Sequence, residues 1–151
     1  MSDPVSAFNS LPRHARTFED VPNDWIFTVR HVPVYPEADL IMLVNPTSRE
    51  SRCEGPVELS KLMPRDYYGV IAQCLLSAFV SGLGTGEDRK KVAPWTWKTT
   101  EEKMAREVSG VLKALGVREE LVDVGVADEE VKKVAEAQWR DVLGTLQRSV
   151  A

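Results

Sequence analysis

The chain has 151 residues, the length of one domain, and at that size roughly 70% of the unfolded surface can leave water, so a core needs neither metal nor disulfide. A composition that is 43% hydrophobic and 28% charged excludes a wholly disordered chain. The longest apolar stretch, residues 70–80, contains Gln73 and Ser77 and falls short of the roughly 20 residues that cross a bilayer. A net charge of -4 and a pI near 5.3 make nucleic acid a poor partner, because the summed field repels phosphate backbones.

Proline punctuates the first part of the chain. Eight of the nine prolines lie at or before Pro64, with Pro94 alone beyond it, so long helices are expected only in the second part. Residues 1–23, with Pro4, Pro12 and Pro22, read as a flexible or draped arm, and residues 24–151 as a single domain. The first ten residues have neither a basic segment nor an apolar one, so no secretory signal is expected.

Residues 25–34 alternate, with Trp25, Phe27 and Val29 on one side and Ile26, Thr28 and Arg30 on the other, as a half-buried strand requires. Residues 40–44 are an unbroken apolar run between Pro36 and Asn45-Pro46, and predict a short buried strand paired through a hairpin. Residues 47–56 read as a polar connection with room for an edge strand.

After Pro64 the period changes. Tyr67, Ile71, Cys74, Leu75 and Ala78 recur at helical spacing, and apolar residues on the other faces mark a central core helix. Pro64 suits its first turn and Gly82 its end. Thr99 stands three residues before Glu102, which predicts a capping box opening a helix that ends at Gly116. Asp128 then caps a last helix, whose Val131, Ala135, Trp139, Val142 and Leu146 form a buried stripe. Strands first and helices after predict an α+β fold: a small antiparallel sheet from the N-terminal third, with three helices packed on one of its faces.

Few residues offer chemistry. Gly82-Leu83-Gly84-Thr85-Gly86 precedes Arg89, Lys90 and Lys91, but the glycines follow a helix instead of a strand, so they read as helix termination rather than a phosphate cradle. His14 and His31, with Cys53 and Cys74, match no metal-ligand spacing, and no cofactor is expected. The different settings of the two cysteines predict no disulfide, which favours a reducing compartment, cytoplasm or nucleus. Trp95 and Trp97 stand two apart on an extended segment; they form either an aromatic platform or a staple that packs the following helix. Arg49, Arg52 and Arg65 are candidate anion contacts, and Tyr67 stands beside them at the opening of the apolar helix.

The cadence Pro94-Trp95-Thr96-Trp97-Lys98-Thr99-Thr100, then Leu115-Gly116-Val117 and Trp139, resembles a segment of uncharacterised fungal proteins, some carrying a MYND-type zinc finger. The resemblance covers the last third of the chain and implies an interaction domain; two cysteines cannot supply the finger. The resulting expectation is a non-catalytic domain that binds a protein or peptide, alone or as a homo-oligomer, through Trp95, Trp97, Arg49, Arg52, Arg65 and Tyr67. The competing expectation is a small enzyme or ligand-binding domain, with a pocket between the apolar helix and the sheet drawing on Asp66, Tyr67, Tyr68, His31 and Cys53. Single-stranded nucleic acid stacking on the tryptophans is disfavoured by the acidic total.

Overall fold

The computed structural model describes residues 3–16, 20–32, 38–59, 62–82 and 91–150. The chain is α+β, built on a five-stranded sheet. In chain order the elements are α1 (Pro4–Asn9), β1 (Asp24–Val32), β2 (Ala38–Val44), β3 (Ser51–Val57), α2 (Pro64–Val80), β4 (Thr96–Thr99), α3 (Glu102–Leu115), a 3-10 turn (Glu119–Leu121), β5 (Gly125–Val126) and α4 (Glu129–Val150). The strands lie side by side in the order β3-β2-β1-β4-β5.

This arrangement corrects the expected sheet in three respects. β1, β2 and β3 are antiparallel neighbours, but β4 lies parallel to β1 and β5 parallel to β4, so the sheet is mixed. Two of its strands come from the second half of the chain, where four residues and two residues are too short to show a period of two. Helices also cover both faces rather than one.

The alternation of β1 explains the last point. Trp25 and Phe27 point into a core shared with Ile41 and Leu43 of β2 and with α1, α2 and α3. Ile26 and Val32 point the other way, into a second core with Met42, Val44, Ala135 and Trp139, closed by α4. A central strand buried on both faces must be apolar at nearly every position. Residues 41–44 are indeed buried without interruption.

α2 is the main cover of the first face. Ile71, Ala72, Leu75, Leu76 and Phe79 are buried, while Gln73 and Ser77 stay exposed. Burying the isoleucine, leucine and phenylalanine side chains among them stabilises by about 1.5–3 kcal/mol each. Arg52 fixes the end of α2: its guanidinium donates to Gly82 O at 2.5 Å and Ser81 Oγ at 2.8 Å, a cation on the negative pole of a helix.

The N-terminal segment docks. Asp3 caps α1 by accepting from Val5 N, and Pro4 occupies the first turn, where its missing N–H costs nothing. Phe8 is wholly buried against Phe79 and Trp97. Of the two alternatives the sequence left for the arm, flexible or draped, α1 takes the second: Val5 and Phe8 pack on the core.

The helix ends behave as expected with one exception. Gly116 adopts φ 89° and closes α3, and Asp128 Oδ1 accepts from Val131 N at 2.9 Å. The capping box does not form. Thr99 belongs to β4, its hydroxyl donates to Phe27 O at 2.8 Å, and Glu101 holds the N-cap position of α3 without a side-chain bond. The strand took the threonine that the cap would have used.

Candidate interaction groove

Asn23 organises the region that holds the exposed tryptophan. It is buried, and its Nδ2 donates to His14 O and Ala93 O, both at 2.9 Å. Its Oδ1 accepts from Trp25 Nε1, and its carbonyl from Trp95 N at 2.8 Å. One side chain thus ties the N-terminal segment, β1 and the approach to β4 together, both of its own polar atoms finding partners. A lone asparagine between proline and aspartate gave no sequence signal beyond a turn.

Trp95 and Trp97 do not form a joint platform. Trp97, in β4, is 1% exposed, stacks on Phe8 and donates through Nε1 to Leu121 O at 2.9 Å. Trp95 precedes the strand, where the chain bends, and is 39% exposed. The bend breaks the alternation that would have placed both indoles on one side. The Arg13 guanidinium lies 3.9 Å from the centre of the Trp95 ring, and its Nη2 donates to Trp95 O at 2.7 Å. Such a cation over an indole face adds about 0.5–1 kcal/mol at an exposed site and holds the ring in place.

Trp95 borders a groove of about 650 Å³ between the amino ends of β1 and β4 and the first turns of α4. Pro46, Val131 and Val134 supply further apolar wall; Asp24, Lys98 and Glu130 supply charge. Asp24 is oriented by the Thr96 hydroxyl, which donates to its Oδ1 at 2.6 Å. The groove thus combines a fixed aromatic, an apolar floor and a mainly acidic border.

The other predicted site residues do not converge on it. Arg49 is exposed at φ 64° in the β2–β3 turn, where its carbonyl accepts from Gln138 Nε2 of α4. Arg52 is committed to the end of α2 and to Glu54, 2.7 Å away, so it is no free anion contact. The side chain of Arg65 and residues 83–90 of the glycine-rich loop, Arg89 and Lys90 included, lie outside the described residues. Tyr67 packs edge-on to Tyr68 with ring centres 5.1 Å apart. Its phenol is pushed above its ordinary value by burial, then by Tyr68, Asp39 and Glu101.

The residues of the competing pocket are likewise scattered. Tyr67 lines a cavity beside β1 together with Met104 of α3 and Lys132 and Glu136 of α4. Asp66 opens onto a different groove with Glu54 and Cys74. His31 Nδ1 lies 3.1 Å from Asp39 Oδ1. Cys53 packs in the α4-side core; it is opposite Met42, itself opposite Thr28, which sets it roughly 14 Å from His31 along and across the strands. No nucleophile–base pair forms from these two. Burial, and the nearby Glu54 carboxylate, push both Cys53 and Cys74 upward, so both favour the thiol over the reactive thiolate.

Among the described residues no group of three or more His, Cys, Asp or Glu side chains could hold a metal ion, and no helix is long and apolar enough to cross a membrane. No family model, curated protein or solved structure matches the chain.

Proposed function

We propose that this chain is a non-catalytic interaction domain of the cytoplasm or nucleus, and that it takes up a protein or peptide segment in the Trp95 groove. The observation that carries the reading is the state of Trp95: a large aromatic left 39% exposed, held by Arg13 and Asn23, at the edge of a preformed apolar groove. Tryptophan anchors in such settings carry a large share of binding energy at interfaces. The acidic border of Asp24 and Glu130 suits a segment with a basic residue beside its apolar anchor.

Selection from a random peptide library against the full chain tests the reading. Enriched peptides should combine an aliphatic or proline residue with Lys or Arg, and Trp95→Ala should weaken them by tenfold or more, about 1.4 kcal/mol, while the variant stays folded at the assay temperature. Failure to enrich any sequence, or equal binding by Trp95→Ala, overturns it.

A further inference from the structure

The two parallel strands at the middle of the sheet end unevenly. β1 continues from Phe27 to Val32, while β4 stops at Thr99 and the chain turns into α3. The notch left beside β1 is covered by α2 and α3 on one face and α4 on the other, and becomes a cavity of about 410 Å³. That is within the roughly 300–1,000 Å³ of small-molecule sites. It lies just past the carboxyl end of β4, beside the second half of β1.

Polar groups reach it from every wall. Thr28 and Arg30 come from β1, Thr100 and Glu101 from the β4–α3 turn, Tyr67 from α2 and Lys132 from α4. Arg30 is already satisfied: it donates to Glu136 Oε1 at 2.6 Å and to Thr28 Oγ1 at 3.0 Å. Two charges remain, one from the β4–α3 turn and one from α4. Among the described residues Glu101 has neither a cap bond nor an ion pair. Lys132 pairs, among the described residues, with Glu129, 3.5 Å away on its own helix and well exposed, a contact of little strength.

The four charged groups, Arg30, Lys132, Glu101 and Glu136, sum to zero, which disfavours a multiply charged anion such as a nucleotide. Weakly paired charges of opposite sign, brought to one cavity by two different elements, fit a ligand charged oppositely at its two ends. We propose that the cavity binds a small zwitterion whose ammonium and carboxylate are separated by several bonds, as in a free dipeptide or an ω-amino acid. The ammonium meets Glu101, the carboxylate meets Lys132, and the hydroxyls of Thr100 and Tyr67 bond the atoms between. This site is independent of the Trp95 groove, which lies at the other end of β4.

The test is a titration of the full chain, followed by amide chemical shifts, with alanylalanine, 6-aminohexanoate, N-acetyl-alanylalanine and alanylalanine amide. At least one zwitterion should produce saturable shifts at Val29, Thr100 and Glu101, and the capped forms of alanylalanine should bind about tenfold more weakly, each having lost a charge-assisted contact. Glu101→Gln and Lys132→Gln, both on the surface, should each weaken the zwitterion about fivefold or more with the melting temperature unchanged. Binding of 6-aminohexanoate alone assigns the ω-amino acid class, and of alanylalanine alone the dipeptide class. The proposal fails if neither zwitterion gives saturable shifts there, if the capped peptides bind as well as the free one, or if both variants bind as the parent does.

Discussion

Phe8 lies flat on Trp97, the ring planes 3° apart and the centres 5.5 Å apart, so the first helix of the chain is part of the packing beneath its fourth strand. Phe79 meets both rings edge-on. Phe8→Ala should therefore cost about 3–5 kcal/mol, the loss typical of a buried aromatic, measured by urea denaturation. An effect below about 1 kcal/mol would mean that α1 is not part of the cooperative unit.

The two neighbouring tryptophans should respond unequally. Trp97→Ala removes a filled core position and a buried N–H bond, and should destabilise by about 3–5 kcal/mol. Trp95→Ala should cost about 1 kcal/mol or less, because it loses chiefly the Arg13 contact. Paired thermal melts decide this, and equal losses would contradict the assigned burial.

Two glycines of α3 should change stability in opposite directions. At Gly110 an added Cβ meets nothing within 4 Å, and Gly110→Ala in a helix interior should stabilise by about 0.5–1 kcal/mol. Gly116 also has open space, but its φ of 89° is strained for any residue with a Cβ. Gly116→Ala should destabilise by about 1 kcal/mol. Chemical denaturation of the two variants measures both signs.

The thiols predict an alkaline limit. Cys53 and Cys74 ionise above their ordinary value of 9.0 in the folded chain, chiefly through burial and secondarily through Glu54. Below that value both folded and unfolded chains keep the protons and nothing is lost. As pH rises past it, the unfolded chain ionises first, and stability falls until the folded thiols ionise too. Melting temperatures between pH 7.5 and 10.5 should drop at the alkaline end, and less steeply in Cys53→Ala/Cys74→Ala. At pH 7.5 both thiols should react with a maleimide more slowly than a free thiol.

Arg30 and Glu136 make an unequal pair, since the arginine side chain is 15% exposed and the glutamate 49%. Glu136→Gln should cost less than about 1 kcal/mol and lose even that in high salt. Arg30→Ala should cost more, because its stem and guanidinium also pack near Trp139 and Thr28. Equal effects of the two substitutions would place the energy in the ion pair alone.

The long periodic elements were readable before the fold was known. α2, α3 and α4 declare themselves through apolar residues at helical spacing, and β1 through an alternation that marks a half-buried strand; that its second face is also buried, under α4, has no signal in the alternation. What stayed hidden depends on partners distant in the chain. β4 is four residues long and is a strand because β1 lies beside it; Thr99 has the spacing of a cap, and its hydroxyl went to Phe27 instead. α1 is too short to hold a helix by itself, and its place is set by the pocket for Phe8. The candidate sites were less legible still. Trp95 and Trp97 stand out in the sequence only as a pair; their separation follows from a bend at Trp95, and Asn23, whose carbonyl accepts from Trp95 N there, has no pattern to announce it.

The strand order has a consequence for how the chain acquires its shape in time. β1 is the middle strand, made early in synthesis, yet one of its neighbours, β4, comes about seventy residues later. Until residues 96–99 emerge, the β1–β2–β3 meander has an apolar flank with no strand beside it, a surface prone to pair with other chains. Closure of the sheet is therefore a late and non-local event, which slows folding relative to a helical protein of equal size. Much of the chain must be present before its middle is finished.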